Sequence, residues 1–350
     1  MTAPEKSLQE VGLVYVSDME PGIRRLRKGR GFCYRLPDGA LLDDPETKAR
    51  ISALGLPPAY RDVWICLLEN GHLQATGYDA RGRKQYRYHK DWQALRSGDK
   101  FHQLAAFGKA LPRIRRAVLR DLEGPAGDMT TTLAALTMLL DQAHLRIGNQ
   151  AYTEENSTYG ATTLLKRHMR LVDGRIDLDF TAKGGKRVRR TLRNPRLQRI
   201  LEDIADLPGR KLFVWKGENG ALHPIDSGRL NAYLAEISGI AISAKTFRTW
   251  AGSLAAFAIA RAAVENGEHP TVKEMSEAAA AVLHNTPAIC RSSYIHPDIV
   301  ALADKGQPLP KRRIAPARRP VSGLRVEENR MLAFLLRASR KRARPADLEG

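Results

Sequence analysis

The chain has 350 residues, of which 43% are hydrophobic, so it is long enough for two folded domains and is not a disordered polypeptide. Its 57 Lys and Arg outnumber 38 Asp and Glu, and a folded protein with a formal charge of +19 usually binds a polyanion such as nucleic acid. Three cysteines without disulfide or zinc spacing, and no apolar run near the roughly 18 residues of a membrane helix, exclude a disulfide-rich secreted scaffold and a membrane protein.

Residues 12 to 92 have the alternation and turn signals of short strands. The candidate strands are GLVYVSD, GFCYRLPDG, HLQATGYDA and KQYRYH, and a short helix is predicted for residues 45–54. Between residues 24 and 30, five of seven residues are cationic, which indicates either a solvated face or a surface that follows phosphates. We predict a small, mostly β domain at residues 1–97.

The strand KQYRYH combines aromatic and cationic side chains. Because side chains alternate along a strand, Tyr86 and Tyr88 point to one face, and Arg83 and Lys84 come directly before them. Such a surface suits contact with the sugars, phosphates and base edges of a groove. The alternative is that the two tyrosines pack in the core, since aromatic residues are common in strands.

The hydrophobic period changes to about 3.6 near Ser97, which predicts a larger, mainly helical domain at residues 98–310. A helix is expected at residues 101–122 with a break at Pro112. The next helix, residues 130–145, is apolar on nearly all sides and should be buried. It ends at Arg146, which opens the polar segment RIGNQAYTEENSTYG.

A strand pattern returns at residues 168–192, where HMRLVDG, RIDLDFTA and KRVRRTL are separated by turn residues. This predicts a three-stranded antiparallel meander with Lys183 at a hairpin tip. The fold class is therefore α+β: a small β-rich domain, then a mainly helical domain with a three-stranded sheet. Residues 311–350 read as a basic tail with an amphipathic helix that docks either on the domain or on nucleic acid.

Helix-start residues divide the remainder of the chain. The predicted N-caps are Asn194, Asp226, Ser243 and Thr271. The helix that begins after Ser243 carries Lys245 and Arg248 in its first turns. Farther along, Asn285 ends one helix, Thr286 and Pro287 start another, and Tyr294 lies two turns into it.

Several sequence motifs of energy-dependent and metal-dependent enzymes are absent. There is no GxxxxGK[ST] phosphate loop, no HExxH pair, no Asp-rich cluster and no GxSxG nucleophile elbow. We therefore expect no ATP, no metal ion and no small-molecule cofactor. A set of cationic residues and one tyrosine remain as candidates for chemistry.

Four segments resemble the active-site segments of type IB DNA topoisomerases, especially the small two-domain form of poxviruses and bacteria. They are RIGN at 146–149, FTAKGGK at 180–186, KTFRTW at 245–250 and HNTPAICRSSY at 284–294. The segment GYDARGRKQYRYH, residues 77–89, resembles the strand with which that form contacts DNA. The resemblance implies the fold shared by tyrosine recombinases and type IB topoisomerases, with residues 1–97 as a DNA clamp and residues 98–310 as the catalytic domain.

The resemblance also implies roles for individual residues. Tyr294 matches the nucleophile, Arg146 and Arg248 match two arginines that bind the scissile phosphate, and Lys183 matches the general acid. Asn285 stands where the viral motif has histidine; its amide can donate a hydrogen bond to a phosphate oxygen but does not titrate. The residues implied to contact DNA are Arg83, Lys84, Tyr86, Tyr88, Tyr152 and Lys245.

The implied activity is relaxation of supercoiled duplex DNA by a monomer, through transient single-strand cleavage and a 3′-phosphotyrosyl intermediate. The location implied is the cytoplasm, in association with the nucleoid. Fixed cations suit this chemistry because they stabilise the dianionic phosphorane that forms when tyrosine attacks a phosphodiester. The energy of the broken bond is kept in the phosphotyrosine, so neither ATP nor a metal is required.

Two alternatives remain open from the sequence. A tyrosine site-specific recombinase has the same Arg, Lys, Arg, Tyr set, but it usually carries His-x-x-Arg where this chain has Lys245 to Arg248, and its N-terminal domain is helical. A non-catalytic basic DNA-binding protein would explain the charge. This second alternative would leave Tyr294 and the RIGN and FRTW segments without a function.

Overall fold

A computed structural model of the protein describes residues 12–29, 31–80, 82, 84–148, 150, 153, 156–306, 308–309 and 311–342. Side chains are described for these residues except 93–100, 102, 313, 341 and 342. The chain mixes helix and strand, and its contacts separate two compact units, with the division after Asp99. Across the described part of the chain, no helix has the length and apolar character needed to cross a membrane.

The first unit is built on a five-stranded antiparallel sheet with the order β2-β1-β3-β4-β5. Its strands are β1 (Ile23–Lys28), β2 (Gly31–Arg35), β3 (Arg61–Ile65), β4 (Leu73–Tyr78) and β5 (Lys84–Tyr88). Helix α1 (Pro45–Ala53) starts at Asp44, whose carboxylate accepts a hydrogen bond from the Thr47 backbone, and it confirms the helix predicted there. Ile23, Ile51 and Ile65 lie in the core between sheet and helix.

Three details of the N-terminal prediction were wrong. The segment GLVYVSD forms only an isolated bridge between Val14 and Gly71, whereas β1 and β3 form where no strand was predicted. Strand β1 was not predicted because most of its residues are cationic, so apolar and polar residues do not alternate clearly along it. Arg25 in that strand points inward and donates hydrogen bonds to the Pro57 and Tyr60 carbonyls at 3.0 and 2.8 Å, so part of the basic cluster has a structural role.

The second unit contains most of the helices. They are α2 (Lys90–Asp121, which begins in the first unit), α3 (Met129–Ala143), α4 (Pro195–Asp206), α5 (Ser227–Ser238), α6 (Ala244–Glu265), α7 (Val272–Leu283), α8 (Pro287–Ser293), α9 (Pro297–Val300), α10 (Lys311–Ile314) and α11 (Val326–Arg342). The caps predicted at Asn194, Asp226 and Thr271 each accept a hydrogen bond from a backbone N–H of the first turn, and Ser243 forms a capping box with Thr246.

Two small sheets complete this unit. The predicted meander is present as β6 (Met169–Val172), β7 (Arg175–Ala182) and β8 (Lys186–Leu192), in that order and antiparallel. A hairpin of β9 (Val214–Lys216) and β10 (Leu222–Pro224) was not predicted, although the Asn219-Gly220 pair is a turn signal. Alternate residues of β7, among them Ile176, Leu178 and Phe180, face the helical core.

The described part of the C-terminal segment, residues 311–342, packs into the second unit. Met331, Leu332, Phe334 and Leu335 of α11 are buried in the same core as the helices around them. The apolar face of the predicted amphipathic helix therefore docks on the protein. Of the two docking sites left open by the sequence, the protein itself is the one that this helix contacts.

Helix α2 corrects two further expectations. It continues through Pro112, which lies inside the helix instead of breaking it, and it runs across the division after Asp99. The domain boundary predicted between residues 97 and 98 thus lies within a helix. Leu104, Phe107, Leu111, Ile114 and Val118 recur at helical spacing and are buried, so tertiary packing outweighs the cost of the proline.

Candidate active site

Tyr294 lies directly after α8 and is held against α6. Its side chain is 6% exposed, and its backbone carbonyl accepts a hydrogen bond from Ser253 Oγ at 3.1 Å. A Cβ atom on Gly252 would lie 2.9 Å from the Tyr294 carbonyl oxygen and 3.0 Å from its Cβ, so only glycine allows this approach. Gly252 and Ser253 were missed by sequence reasoning, although a glycine inside an alanine-rich helix is a signal of close packing.

Arg248 is buried between two helix ends and the ring of Tyr294. Its Nη1 donates a hydrogen bond to the carbonyl of His144, the C-cap of α3, and its Nη2 donates to the Leu283 carbonyl at the end of α7, at 2.9 Å. Helix C-termini carry partial negative charge, which stabilises a cation at this place. The guanidinium carbon lies 5.1 Å from the centre of the Tyr294 ring, so Arg248 is fixed beside the candidate nucleophile.

Arg146 and Asn285 form a hydrogen-bonded pair. Nη2 of Arg146 donates to Oδ1 of Asn285 at 2.6 Å, which leaves the Asn285 amide N–H groups directed elsewhere. The loop that carries Arg146 crosses a second loop closely, since a Cβ on Gly160 would lie 2.5 Å from the backbone nitrogen of Gly148. The absence of a side chain at Gly160 therefore allows the loop that carries Arg146 to pack closely against it.

Among the described residues, the buried unpartnered nitrogen atoms near this site belong to Arg248, Asn285, His144 and His284, and those of Arg248 and Asn285 carry N–H donors. Within the described residues, Nε of Arg248 and Nδ2 of Asn285 have no hydrogen-bond acceptor. Buried polar atoms are nearly always paired, and an unpaired donor costs about 1–3 kcal/mol. Such donors are suited to an anionic ligand, and a phosphate offers the oxygens that would pair with both.

Lys183 joins the same site from the sheet. It is exposed in the turn between β7 and β8, as predicted from the hairpin pattern, and it lines a small cavity together with Arg146 and Arg248. Asn285 contacts Arg146 and Tyr294 contacts Arg248, so the five predicted residues, from four segments of the chain, lie in one site. Lys186, on the same hairpin, lines the cavity as well and was not predicted.

The charges around Tyr294 favour its reactive form. Burial alone would raise the pKa of its phenol, but the cations of Arg248, Arg146 and Lys245 outweigh burial, so the pKa lies below the usual value for tyrosine. Lys245 is exposed one turn before Arg248 on α6. A phenol with a lowered pKa is more easily deprotonated for attack on phosphorus.

The histidines at the two helix ends are neutral. Burial lowers the pKa of His144 to about 4, and burial followed by the nearby Arg190 and Arg248 charges lowers the pKa of His284. Both adopt left-handed backbone conformations, with φ of 54° and 48°, which end the helices and expose their carbonyls. Cys290, fully buried behind Tyr294, has a pKa raised by burial and is therefore an unreactive thiol.

Replacing Lys245 is expected to shift the pH dependence of the chemistry. In Lys245→Gln the pKa of Tyr294 loses one lowering charge, so the rate of covalent reaction with DNA should rise with pH through a higher midpoint than in the wild type. The measurement is a pH profile of adduct formation at saturating DNA. Lys273→Gln, an exposed lysine on α7, is the control and should leave the midpoint in place; an unchanged midpoint in Lys245→Gln would contradict the role of its charge.

The residues predicted to contact DNA in the first unit lie partly on an open surface. Tyr86 and Tyr88 of β5 are 48% and 38% exposed and stack with ring centres 6.1 Å apart, so they do not pack in the core. Lys84 forms an ion pair with Asp18 at 2.5 Å, and this hydrogen bond raises the Lys84 pKa despite some burial. Arg83 and, in the second unit, Tyr152 fall outside the described residues.

An exposed aromatic side chain extends this surface. Tyr15 is 58% exposed and stacks on the His72 ring at 4.6 Å, and His72 lies 6.1 Å from Tyr88. Sequence reasoning missed Tyr15 because it assigned the segment around it to a strand. The exposed rings of Tyr15, Tyr88 and Tyr86 are thus connected through the buried His72 ring.

Two known families match the chain. "Eukaryotic DNA topoisomerase I, catalytic core" matches residues 88–296, more than half of the chain, and includes all five residues of the candidate site. "Bacterial DNA topoisomerase IB, N-terminal domain" matches residues 31–79.

Viral proteins are among the similar sequences. The DNA topoisomerase 1B of Acanthamoeba polyphaga mimivirus is 28% identical over 285 residues, which cover 78% of this chain and 85% of the viral protein. The DNA topoisomerase 1B of Vaccinia virus (strain Copenhagen) and the DNA topoisomerase I of Monkeypox virus are each 25% identical over 124 residues, covering 35% of this chain and 39% of theirs.

Proposed function

The chain belongs to the type IB DNA topoisomerase family and is an enzyme of that class, and we propose that it relaxes supercoiled DNA through a covalent bond between Tyr294 and a 3′ phosphate. The observation that carries this proposal is the meeting of Arg146, Lys183, Arg248 and Asn285 around a buried tyrosine, Tyr294, whose pKa the nearby cations lower. A buried tyrosine bordered by fixed cations has little use in a protein that only binds DNA.

The proposed cleavage step forms one bond and breaks one. The Tyr294 oxygen gives up its proton to water and bonds to phosphorus, while the bond from phosphorus to the 5′ oxygen breaks. The 5′ oxygen takes a proton, supplied by Lys183, and leaves as a hydroxyl. Religation is the reverse, with the 5′ hydroxyl attacking the phosphotyrosine, so no bond energy is lost between the two steps and neither ATP nor a metal is needed.

The anionic transition state is stabilised by the two arginines and Asn285. In our proposal, Arg248 Nε and Asn285 Nδ2 donate to non-bridging phosphate oxygens, since both are buried and without an acceptor. Arg146 binds the phosphate and also holds the Asn285 amide in the required orientation through their 2.6 Å hydrogen bond. Fixed donors of this kind need little reorganisation when charge develops, which is how they accelerate the reaction.

DNA reaches this site along surfaces that the proposal assigns to both units. Lys84, Tyr86 and Tyr88 contact the duplex from the first unit, and Arg83 and Tyr152 are proposed to do so from their places in the sequence. Lys245 is proposed to contact DNA near the scissile phosphate. Because one chain supplies the whole site, a monomer suffices; we place its action on nucleoid DNA in the cytoplasm.

The test of the proposed function is relaxation of plasmid DNA. Purified protein is incubated with positively and negatively supercoiled plasmids in EDTA without ATP, and topoisomers are separated by electrophoresis. Relaxation of both signs without strand exchange between sites is the expected result. Strand exchange would favour the recombinase, and binding without relaxation would favour the non-catalytic DNA-binding protein.

Removing Lys183 is expected to slow cleavage by removing the proton donor. General acid catalysis typically contributes about 10²- to 10⁴-fold, so Lys183→Ala should be slower by that order. A DNA strand with sulfur in place of the 5′ bridging oxygen has a leaving group that needs no proton, and it should restore the rate. Lys186→Ala, on the same hairpin, is the control. Equal slowing of both DNA substrates in Lys183→Ala would rule out the acid role.

A further inference from the structure

A partly buried ionic network lies at the junction of four helices in the second unit. Arg115 of α2 donates from Nε to Asp141 of α3 at 2.8 Å and from Nη2 and Nη1 to the two carboxylate oxygens of Glu328 at 2.7 and 2.8 Å. Glu328 is 1% exposed and lies in the first turn of α11. Its carboxylate also accepts a hydrogen bond from the Arg325 backbone at 2.8 Å, and the Arg115 Nη1 reaches the Gly323 carbonyl at 3.3 Å.

This network contacts α6, which carries Arg248, and α3, which ends just before the loop that carries Arg146. Asp141 lies in the last turn of α3, directly before His144, whose carbonyl holds Arg248, and before Arg146. On the other side, the indole Nε1 of Trp250 lies 3.5 Å from Glu328 Oε1, and Trp250 is two residues beyond Arg248 on α6. A single guanidinium–carboxylate pair therefore touches the ends of α3 and α6 from which the candidate site is built.

The side chains of this network are charged. Burial alone would raise the pKa of Glu328, but the Arg115 hydrogen bonds and charge lower it below the usual value. Apolar side chains of similar size often stabilise a core as well as a buried ion pair does, so stability alone is a weak reason for this arrangement. Unlike apolar packing, a bidentate ion pair has a defined geometry. It therefore fixes the angle and distance between the two helices that carry its partners.

We propose that Arg115, Asp141 and Glu328 form a positioning network through which the C-terminal segment sets the geometry of Arg146 and Arg248. The inference rests on the proposed function of that site. It assigns a catalytic purpose to residues 323–342, which lie beyond the matched catalytic core at residues 88–296. None of the three residues touches the phosphate in this scheme; they act through α3 and α6.

The same helix offers a matched control. Glu327, the neighbour of Glu328, pairs with Arg261 at 3.1 Å, and Arg330 pairs with Glu265 at 2.9 Å. These pairs also tie α11 to α6, but they lie near the C-terminal end of α6, away from Arg248. Glu327→Gln thus weakens the attachment of α11 without disturbing the network.

The experiment compares Glu328→Gln with Glu327→Gln in the full chain. Each is measured for DNA affinity, for thermal unfolding, and for the single-turnover rate of covalent adduct formation at saturating DNA, well below the unfolding temperature. A misplacement of about 1 Å at a catalytic group can cost on the order of 100-fold, so we expect Glu328→Gln to be slower by about 10- to 100-fold with unchanged DNA affinity. Glu327→Gln should keep the wild-type rate.

Arg115→Lys provides a second variant should Glu328→Gln fold poorly. It keeps the charge but loses the bidentate geometry, so an intermediate rate with unchanged affinity is expected. The inference would be overturned if Glu328→Gln and Glu327→Gln reacted at equal rates. It would also be overturned if the lower rate of Glu328→Gln were fully explained by the fraction of unfolded protein. A wild-type protein that forms no adduct would instead overturn the proposed function, so the two failures are distinguishable.

Discussion

Tyr294→Phe is expected to abolish covalent capture of DNA while DNA affinity stays as in the wild type. Only the hydroxyl oxygen is removed, and the ring that packs against Arg248 is kept. Gly252 and Ser253 hold the backbone and Cβ of Tyr294, so the fold should not respond to the loss of one oxygen. Without this oxygen, residue 294 cannot form a bond to phosphorus, so relaxation of plasmid DNA should stop as well.

The measurement is recovery of protein linked to labelled DNA after denaturation. Tyr159→Phe is a matched control, because Tyr159 lines the same cavity as Arg146, Lys183 and Arg248. It should still form the adduct. A 3′-linked adduct that persists in Tyr294→Phe would move the nucleophile to another residue.

Arg248→Ala is expected to have the second largest effect. Loss of one donor to a developing oxyanion costs about 2.7–4 kcal/mol, so cleavage should slow by about 10²- to 10³-fold. The change also removes the cation that most strongly lowers the pKa of Tyr294. Arg248→Lys keeps a charge but cannot reach two carbonyls and a phosphate together, so its rate should lie between those of alanine and the wild type.

Arg190 provides the control for structural damage in that experiment. It donates to the Ala143 carbonyl at 3.4 Å and to the Val282 carbonyl, and so it joins the ends of α3 and α7 as Arg248 does, one residue earlier on each helix. It does not contact Tyr294 in the described structure. Arg190→Ala should lower the unfolding temperature with a much smaller loss of rate, and similar rate losses in both variants would argue that Arg248 is only structural.

The catalytic half of the chain was more predictable from sequence than the N-terminal unit. The caps at Asn194, Asp226 and Thr271 could be predicted because a cap is a local interaction of a side chain with the next turn. The meander that presents Lys183 could be predicted because its turns and alternation are both local. Strand β1 could not, since Arg25 is stabilised by carbonyls more than 30 residues away.

The assembly of the site depends on long-range contacts that no local pattern contains. Sequence resemblance could name Arg146 and Asn285, but not the hydrogen bond that orients the amide. The same is true of the two helix-end carbonyls that hold Arg248. Pro112 shows the opposite case. A proline is a strong local signal for the end of a helix, but the packing of the buried face of α2 outweighs it and the helix continues.

Main-chain atoms hold Arg248 in place. The site should therefore respond differently to substitutions than to insertions and deletions near the ends of α3 and α7. Both acceptors are peptide carbonyls, so substitutions at residues 144 and 283 that keep the backbone path retain them. Insertion or deletion of a single residue near the end of α3 or α7 would rotate the carbonyl away by about 100°, since an α-helix has 3.6 residues per turn. In a collection of random variants, functional survivors should therefore carry no changes in segment length here, and their substitutions should be ones that suit the left-handed backbone at His144 and the buried position of Leu283.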